Sequence, residues 1–158
     1  MAAVFLHAPR DFTNLCVIAR TLDAFGVPSC AVFDPHRLIR PHYGKSYSRR
    51  LRNVSAGAFS RVHWQTVGDP IDFLGQYDGR RIAVSSSPTA ASVYGVAFGP
   101  DDLLVFGSER HGIPADVAAA CDLECTIPTS GETQSLNLAV AVGIVLAEYV
   151  RQAHGGAW

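Results

Sequence analysis

Short apolar runs alternate with stretches of helical periodicity along the whole chain. Ala3 to His7, Ser29 to Phe33, Val62 to Val67, Arg81 to Ser85, Leu103 to Phe106 and Leu123 to Ile127 read as strands. Several are apolar without interruption, the pattern of parallel strands covered on both faces. Between them, Asn14 to Phe25 sets Leu15, Ile18, Ala19, Leu22 and Phe25 on one helical face. Pro114 to Ala120 opens on a proline suited to a first helical turn, and Ser135 to Arg151 is the longest predicted helix. This alternation predicts an α/β fold, a mostly parallel sheet with helices on both faces, as a single domain over residues 1–158. No repeat, low-complexity tract or linker divides it. Pro35 to Ser60, rich in Arg, Ser, Gly and Tyr, is the one long weakly structured segment, and such a loop within a compact domain is usually functional or disordered.

Composition narrows the class. With 48% hydrophobic and 17% charged residues among 158, the chain suits one well-buried core. Its most apolar stretch, Leu138 to Ala147, is bounded by Asn137 and Glu148, short of the roughly 18 apolar residues of a membrane helix. The start MAAVFLHAPRDF has no charged region before its apolar residues and no small-residue cleavage site after them, so no secretion signal is expected. Cys16, Cys30, Cys121 and Cys125 form no C-x-x-C pair, and reduced, mostly buried thiols in a cytoplasmic protein are the expectation. The net charge of −1 conceals an asymmetry. Arg37, Arg40, Lys45, Arg49, Arg50, Arg52 and Arg61 fall between His36 and Gly68 with no acidic residue among them, leaving six basic residues elsewhere to face all 14 acidic ones. An arginine-dominated excess interleaved with His42, Tyr43, Tyr47 and Asn53 suits phosphate contacts and base stacking better than a merely solvated face. It points to nucleic acid, with Arg49, Arg50 and Arg52 as candidate RNA-binding residues.

Ligands of open parallel sheets gather beyond the carboxyl ends of the strands, which directs attention to three loops. PRDFTNLCVIARTLDAFG, after the first strand, carries Asn14 and Arg20 six residues apart; alone it reads equally well as a helix-cap region plus a surface arginine. LLVFGSERHGIP leaves a strand at Phe106 and enters a helix at Pro114, with Gly107 and Gly112 able to bring main-chain N–H groups close to a ligand. The spacing of these glycines matches a phosphate loop, yet Ile113 and Pro114 stand where that loop needs Lys and Ser or Thr. No G-x-G-x-x-G fingerprint occurs, and Ser108 with His111 fits no nucleophile elbow. IPTSGETQSLNLAVAVGIVLAEYVRQ runs from a polar stretch through Ser135, Leu136 and Asn137 into an apolar helix that needs cover on most faces, from the core or from a second subunit.

Together these loops resemble the three sequence motifs of the SpoU or TrmH family of the SPOUT superfamily, S-adenosylmethionine-dependent RNA ribose 2′-O-methyltransferases. NLCVIARTLDAFG is similar to the first motif, VFGSERHGIP to the second and IPTSGETQSLNLAVAVG to the third, in the family's order and spacing and over nearly the whole chain. The resemblance implies an α/β fold with a C-terminal trefoil knot, an obligate homodimer that covers the final helix, S-adenosylmethionine as cofactor and RNA as partner. Carried over residue by residue, it makes Asn14 and Arg20 the catalytic pair of the first motif, Glu109 the acidic residue of the second, and Ser135 and Asn137 the polar pair of the third. Cofactor contacts map to Val84, Gly107, Gly112, Ile127 and Ser135, mainly through the backbone, with Ile113 and Leu136 lining the adenine pocket. Cys16 departs from the small residue frequent in the first motif, a change expected to alter packing rather than chemistry. Arg110 and His111 fall at variable positions and receive no role. A minimal single-domain chain is similar to the TrmL type, which modifies the wobble ribose of tRNA, so tRNA is the favoured substrate. The alternatives are rRNA and a non-catalytic RNA-binding module.

Methyl transfer from a sulfonium to a ribose hydroxyl is an in-line displacement that needs a partly deprotonated oxygen. No metal is expected, since the six histidines show neither H-x-x-x-H nor H-E-x-x-H spacing. Positioning the reactants itself supplies roughly 7–11 kcal/mol of such a barrier. Family proposals make the arginine matching Arg20 the base, but an arginine is effectively never deprotonated. Holding the neighbouring phosphate and stabilising a developing alkoxide is the role expected of Arg20.

Overall fold

The computed structural model describes residues 2–39, 49, 52–133 and 135–155. Among the described residues there are seven strands: β1 (Ala3–His7), β2 (Ser29–Phe33), β3 (His63–Thr66), β4 (Arg81–Ser85), β5 (Ala91–Ser92), β6 (Leu103–Phe106) and β7 (Leu123–Thr126). They form one sheet in the order β3-β2-β1-β6-β4-β7-β5, every neighbouring pair parallel. Helices α1 (Phe12–Ala24), α2 (Pro70–Gly75), α3 (Ala115–Ala119) and α4 (Leu138–Ala153) cover it.

Alternation along the strands explains the uninterrupted apolar runs. Val4, Leu6, Leu104 and Phe106 join Leu15, Ile18 and Leu22 of α1 and Val142, Val145 and Leu146 of α4 in one buried cluster. Phe5, Leu103 and Val105 turn to the opposite face and meet Leu74 of α2 and Val117 of α3. With both faces covered, no strand position in the middle of the sheet is left for a polar residue. The fold is thus the α/β class that the pattern predicts, with helices on both faces.

The ends of the elements follow their caps. α1 starts at Phe12, two residues before the predicted start, because the Asp11 side chain accepts from the Thr13 N–H at 2.6 Å. It stops where Gly26 takes φ 71° and the Val27 N–H reaches back to the Leu22 carbonyl at 2.8 Å. α4 begins at Leu138 rather than Ser135, since Asn137 is its cap and accepts from the Ala139 and Val140 N–H groups. Several short elements go beyond the predicted set. α2 is a short helix capped by Asp69 with Pro70 in its first turn, and β5 is a two-residue strand at the sheet edge. Within the predicted loop Pro35 to Ser60, residues 52–55 are helical and a 3-10 turn covers Ala58–Ser60, with Ser55 and Ala58 buried. Arg40, His42, Tyr43, Lys45, Tyr47 and Arg50 lie outside the described residues. None of the four cysteines is in a disulfide, and burial pushes Cys121 and Cys125 up to about 11 and Cys30 higher still. Among the described residues, no helix is long and apolar enough to cross a membrane.

Two carboxylates tie elements together and make stability acid-sensitive. Asp122 accepts from the backbone N–H of Arg81 and from its guanidinium at 2.7–2.8 Å, joining the start of β7 to the start of β4. Glu148 of α4 accepts from Arg151 and Gln152, and Gln152 in turn holds the Val96 carbonyl and the Phe98 N–H. These donors draw both carboxyl groups down to about 2. A carboxylate whose folded value lies below its unfolded value of about 4 stabilises the fold fully above that value and ceases to do so as pH falls towards 2. The Tm should therefore fall between about pH 5 and 2, and Asp122→Asn should flatten that fall while lowering Tm at pH 7.

Candidate active site

Strands β6, β4 and β7 are neighbours, and their registers place Val84 opposite Phe106 and Ser85 opposite Thr126. The chain leaves all three strands at one level. The loops that follow, with the segment leading into α4, surround a cavity of ≈ 370 Å³. Residues 84–86, 106–112 and 126–127 form its walls together with Thr129, Ser135 and Leu136, and Leu138 and Ala141 of α4 complete it.

The loop after β6 is a small closed hairpin. The Ser108 N–H donates to the Gly112 carbonyl and the Gly112 N–H to the Ser108 carbonyl, each at 2.9 Å, leaving residues 109–111 as its tip. The two glycines serve different needs. Gly112 holds φ 64°, a left-handed conformation that disfavours side chains, and has open space around it. Gly107 has an ordinary φ, but a Cβ there would run into the backbone of Gly112 and Ile113.

A polar chain stitches the three motif regions together. The Glu109 carboxylate accepts from the Arg10 N–H at 2.8 Å, the Asp11 N–H at 3.2 Å and the Asn14 amide at 2.8 Å. Asn14 Oδ1 accepts from Asn137 Nδ2 at 3.1 Å, while Asn137 Oδ1 caps α4. Asn14 is buried, so leaving either end of its amide unpaired would cost about 1–3 kcal/mol. A carboxylate at the first turn of α1 also faces the positive end of that helix. Glu109 is thereby occupied with positioning α1, and α1 with positioning α4.

The structure brings most of the sequence-predicted residues to one place. Val84, Gly107, Gly112, Ile127, Ser135, Leu136 and Glu109 line the cavity. Asn14 and Asn137 are not among its lining residues and connect to it through Glu109. Ile113 departs from the expectation. It packs instead against the cluster of Phe5, Leu103, Val105 and Val117, on the face of the sheet opposite α1 and α4, just beyond the left-handed turn at Gly112. Arg20 is exposed and does not line the cavity of its own chain. At about 100° per residue it stands roughly 240° round α1 from Asn14. Arg49 and Arg52 are exposed. Ser85, Ser86, Ser108, Arg110, His111, Thr126 and Thr129 also line the cavity. Those after β4 were detectable only through the strand order, whereas Arg110 and His111 stand in plain view between the two glycines. Among the described residues, no group of three or more His, Cys, Asp or Glu could hold a metal ion.

The model of the SpoU rRNA Methylase family matches residues 1–147. The chain belongs to the SpoU family. Among relatives of this SpoU chain, a tRNA (guanosine(18)-2′-O)-methyltransferase of Aquifex aeolicus is 27% identical over 152 residues, covering 94% of this chain and 68% of the relative. A tRNA (cytidine(34)-2′-O)-methyltransferase of Beijerinckia indica is 39% identical over 74 residues, 47% of this chain and 46% of the relative. The chain thus spans about half to two thirds of the length of the curated relatives it matches. Among solved structures, the A. aeolicus TrmH/SpoU tRNA modifying enzyme superposes with a TM-score of 0.85 at 25% identity, covering 98% of this chain and 76% of that one. A structure described as giving insights into the 2-OH methylation of C/U34 on tRNA has a TM-score of 0.80 at 31% identity, covering 98% and 97%. The SpoU methyltransferase AviRb from Streptomyces viridochromogenes, in complex with the cofactor AdoMet, shares the fold with a TM-score of 0.78 at 24% identity, covering 98% and 58%.

Proposed function

We propose that this SpoU chain is an S-adenosylmethionine-dependent methyltransferase acting on a ribose 2′-hydroxyl of RNA, with tRNA as the favoured substrate. The observation that carries this reading is the convergence of the three motif regions on one cavity, held by the Glu109–Asn14–Asn137 chain. The cavity fits the cofactor. Its ≈ 370 Å³ lies within the range of small-molecule sites, about 300–1,000 Å³. Gly107 offers main chain with no side chain between, and Ile127 and Leu136 offer apolar surface suited to a flat base. Ile127 and Leu136 would hold the adenosine end, with Val84 and Gly107 along the cofactor's length. When bound, S-adenosylmethionine supplies a methyl group already activated on a sulfonium. The protein's own residues orient and hold: Glu109 fixes α1, Asn14 and Asn137 fix α4 beside the cavity, and Ser135 presents a hydroxyl at its rim.

A homodimer belongs to the same proposal. Val17 of α1 and Val140 of α4 are 38% and 49% exposed, unusual for apolar residues on two helices that pack together. Arg20 follows Val17 by three residues and shares its flank of α1. A second copy laid over this flank covers both valines and carries each Arg20 towards the other copy's cavity. The expected C-terminal trefoil knot is likewise part of this reading, supported by the likeness of fold to the SpoU enzymes.

RNA is the partner that suits the arginine-rich segment, of which Arg49 and Arg52 are exposed. Neutralising Arg49, Arg50 and Arg52 together should reduce the slope of log affinity against log salt by about 2, at roughly 0.7 per single-strand phosphate contact. An unchanged slope would make the segment a solvated face. The function itself is tested by mapping ribose methylation in cells with and without the protein and by supplying methyl-labelled S-adenosylmethionine with tRNA or rRNA in vitro. Protein-dependent 2′-O-methylation of tRNA is expected. Label in rRNA alone would favour the second reading, which the family's description supports, and label in neither would overturn the proposal.

A further inference from the structure

The hairpin after β6 divides its charges. Glu109 is engaged with α1 through three donors, whereas the next residue, Arg110, is exposed and lines the cavity. Four of the other arginines are neutralised within the fold: Arg61 pairs with Asp23, Arg80 with Asp102, Arg81 with Asp122 and Arg151 with Glu148, all at 2.6–2.7 Å. Arg110 has no ion pair among the described residues, although a carboxylate is its immediate neighbour in sequence. An unneutralised guanidinium on a hairpin closed by two hydrogen bonds is preorganised for an anion, and its planar fork matches a carboxylate.

Resting on the cofactor reading above, we propose that Arg110 binds the carboxylate of the amino-acid end of S-adenosylmethionine and so selects an aminoacyl-bearing nucleoside over a plain one. The strand order supports this placement. Ile127 and Leu136, on the adenosine side, follow β7, while Arg110 follows β6, and β4 lies between these strands. Two strand spacings amount to about 10 Å, the scale of the separation between a base and the end of a 5′-linked amino acid. The other ionisable side chains on the cavity wall are those of Glu109, whose carboxylate would repel another, and of His111.

Calorimetric titration of the full chain with S-adenosylhomocysteine and with 5′-methylthioadenosine, which keeps the nucleoside and thioether but lacks the amino acid, tests the inference. Arg110→Ala should bind S-adenosylhomocysteine at least about tenfold more weakly, the scale of one charge-assisted pair, with 5′-methylthioadenosine affinity unchanged. Arg110→Lys should recover part of the loss, since it keeps the charge without the fork. Unchanged S-adenosylhomocysteine affinity in Arg110→Ala would overturn the inference, and weaker tRNA binding alongside it would assign the guanidinium to an RNA phosphate. Equal weakening of both ligands would also overturn it, as a general disturbance of the hairpin. A parent protein that binds neither ligand would overturn the cofactor reading and this inference together.

Discussion

Arg20→Ala should lower methyl transfer to RNA by at least about a hundredfold, the scale of losing one preorganised charge-stabilising donor, while leaving S-adenosylmethionine affinity near that of the parent. The separation of the two effects follows from position. Arg20 is exposed on α1 and does not line the cavity of its own chain, so its removal takes nothing from the cofactor's walls. In the function proposed above its reach is towards the ribose and the adjoining phosphate, where a fixed positive charge would stabilise the oxygen as it loses its proton. Arg20→Lys should restore activity only in part, because a single ammonium cannot grip two phosphate oxygens as a planar fork does. Single-turnover methylation paired with calorimetry reads both quantities. Parental rates in Arg20→Ala would make this arginine a surface residue and remove it from the mechanism.

The second large effect is expected at Gly107. The sequence alone suggests that a side chain there would simply occupy the cofactor site, whereas the structure places the collision in the protein's own backbone, at Gly112 and Ile113. Gly107→Val must therefore open the hairpin. Opening it displaces Glu109 and frees the first turn of α1 together with the buried Asn14. Overpacking costs about 1–3 kcal/mol and each broken hydrogen bond about 1 more, so a loss of at least about 3 kcal/mol is expected. For a chain of this size that corresponds to a fall in Tm of roughly 6–12 °C, accompanied by loss of cofactor binding. Gly112→Ala provides the contrast. Nothing lies within 4 Å of a Cβ there, so its cost is confined to the left-handed φ, about 1–2 kcal/mol, with the cavity kept. If Gly107→Val melts with the parent and binds S-adenosylhomocysteine normally, the hairpin is not the rigid element described above.

β1, β2, β4 and β6 were legible because each carries an apolar run that both faces of the sheet bury, whereas β3 and β7, which are more exposed, were legible from their place in the alternation of strands and helices. β5 was not, since two residues carry no period. α2 was marked only by the Asp69–Pro70 pair, and six residues are too few for helical periodicity to show. The site divides in the same way. Its individual loops could be recognised from Asn14, Gly107, Glu109 and Asn137, but their meeting depends on β6, β4 and β7 being neighbours, a consequence of long-range pairing that no local pattern encodes. The placement of Ile113 was missed for a related reason: one left-handed residue at Gly112 decides which face of the sheet the next side chain reaches. Arg110, passed over as variable, became conspicuous only when its neighbour's carboxylate proved to be engaged elsewhere.

The position of β1 also bears on how the molecule is made. β1 sits in the middle of the sheet, paired with β2 on one side and with β6 on the other, and Ala3 faces Leu103 across a separation of 100 residues. On a ribosome adding about 5–20 residues per second, roughly 5–20 s pass between synthesis of the two strands. Throughout that interval the first three strands can pair only among themselves, and one side of β1, apolar on both faces, is an open edge able to pair with any other chain. The interior strand of the finished protein is thus an exposed border in the nascent one.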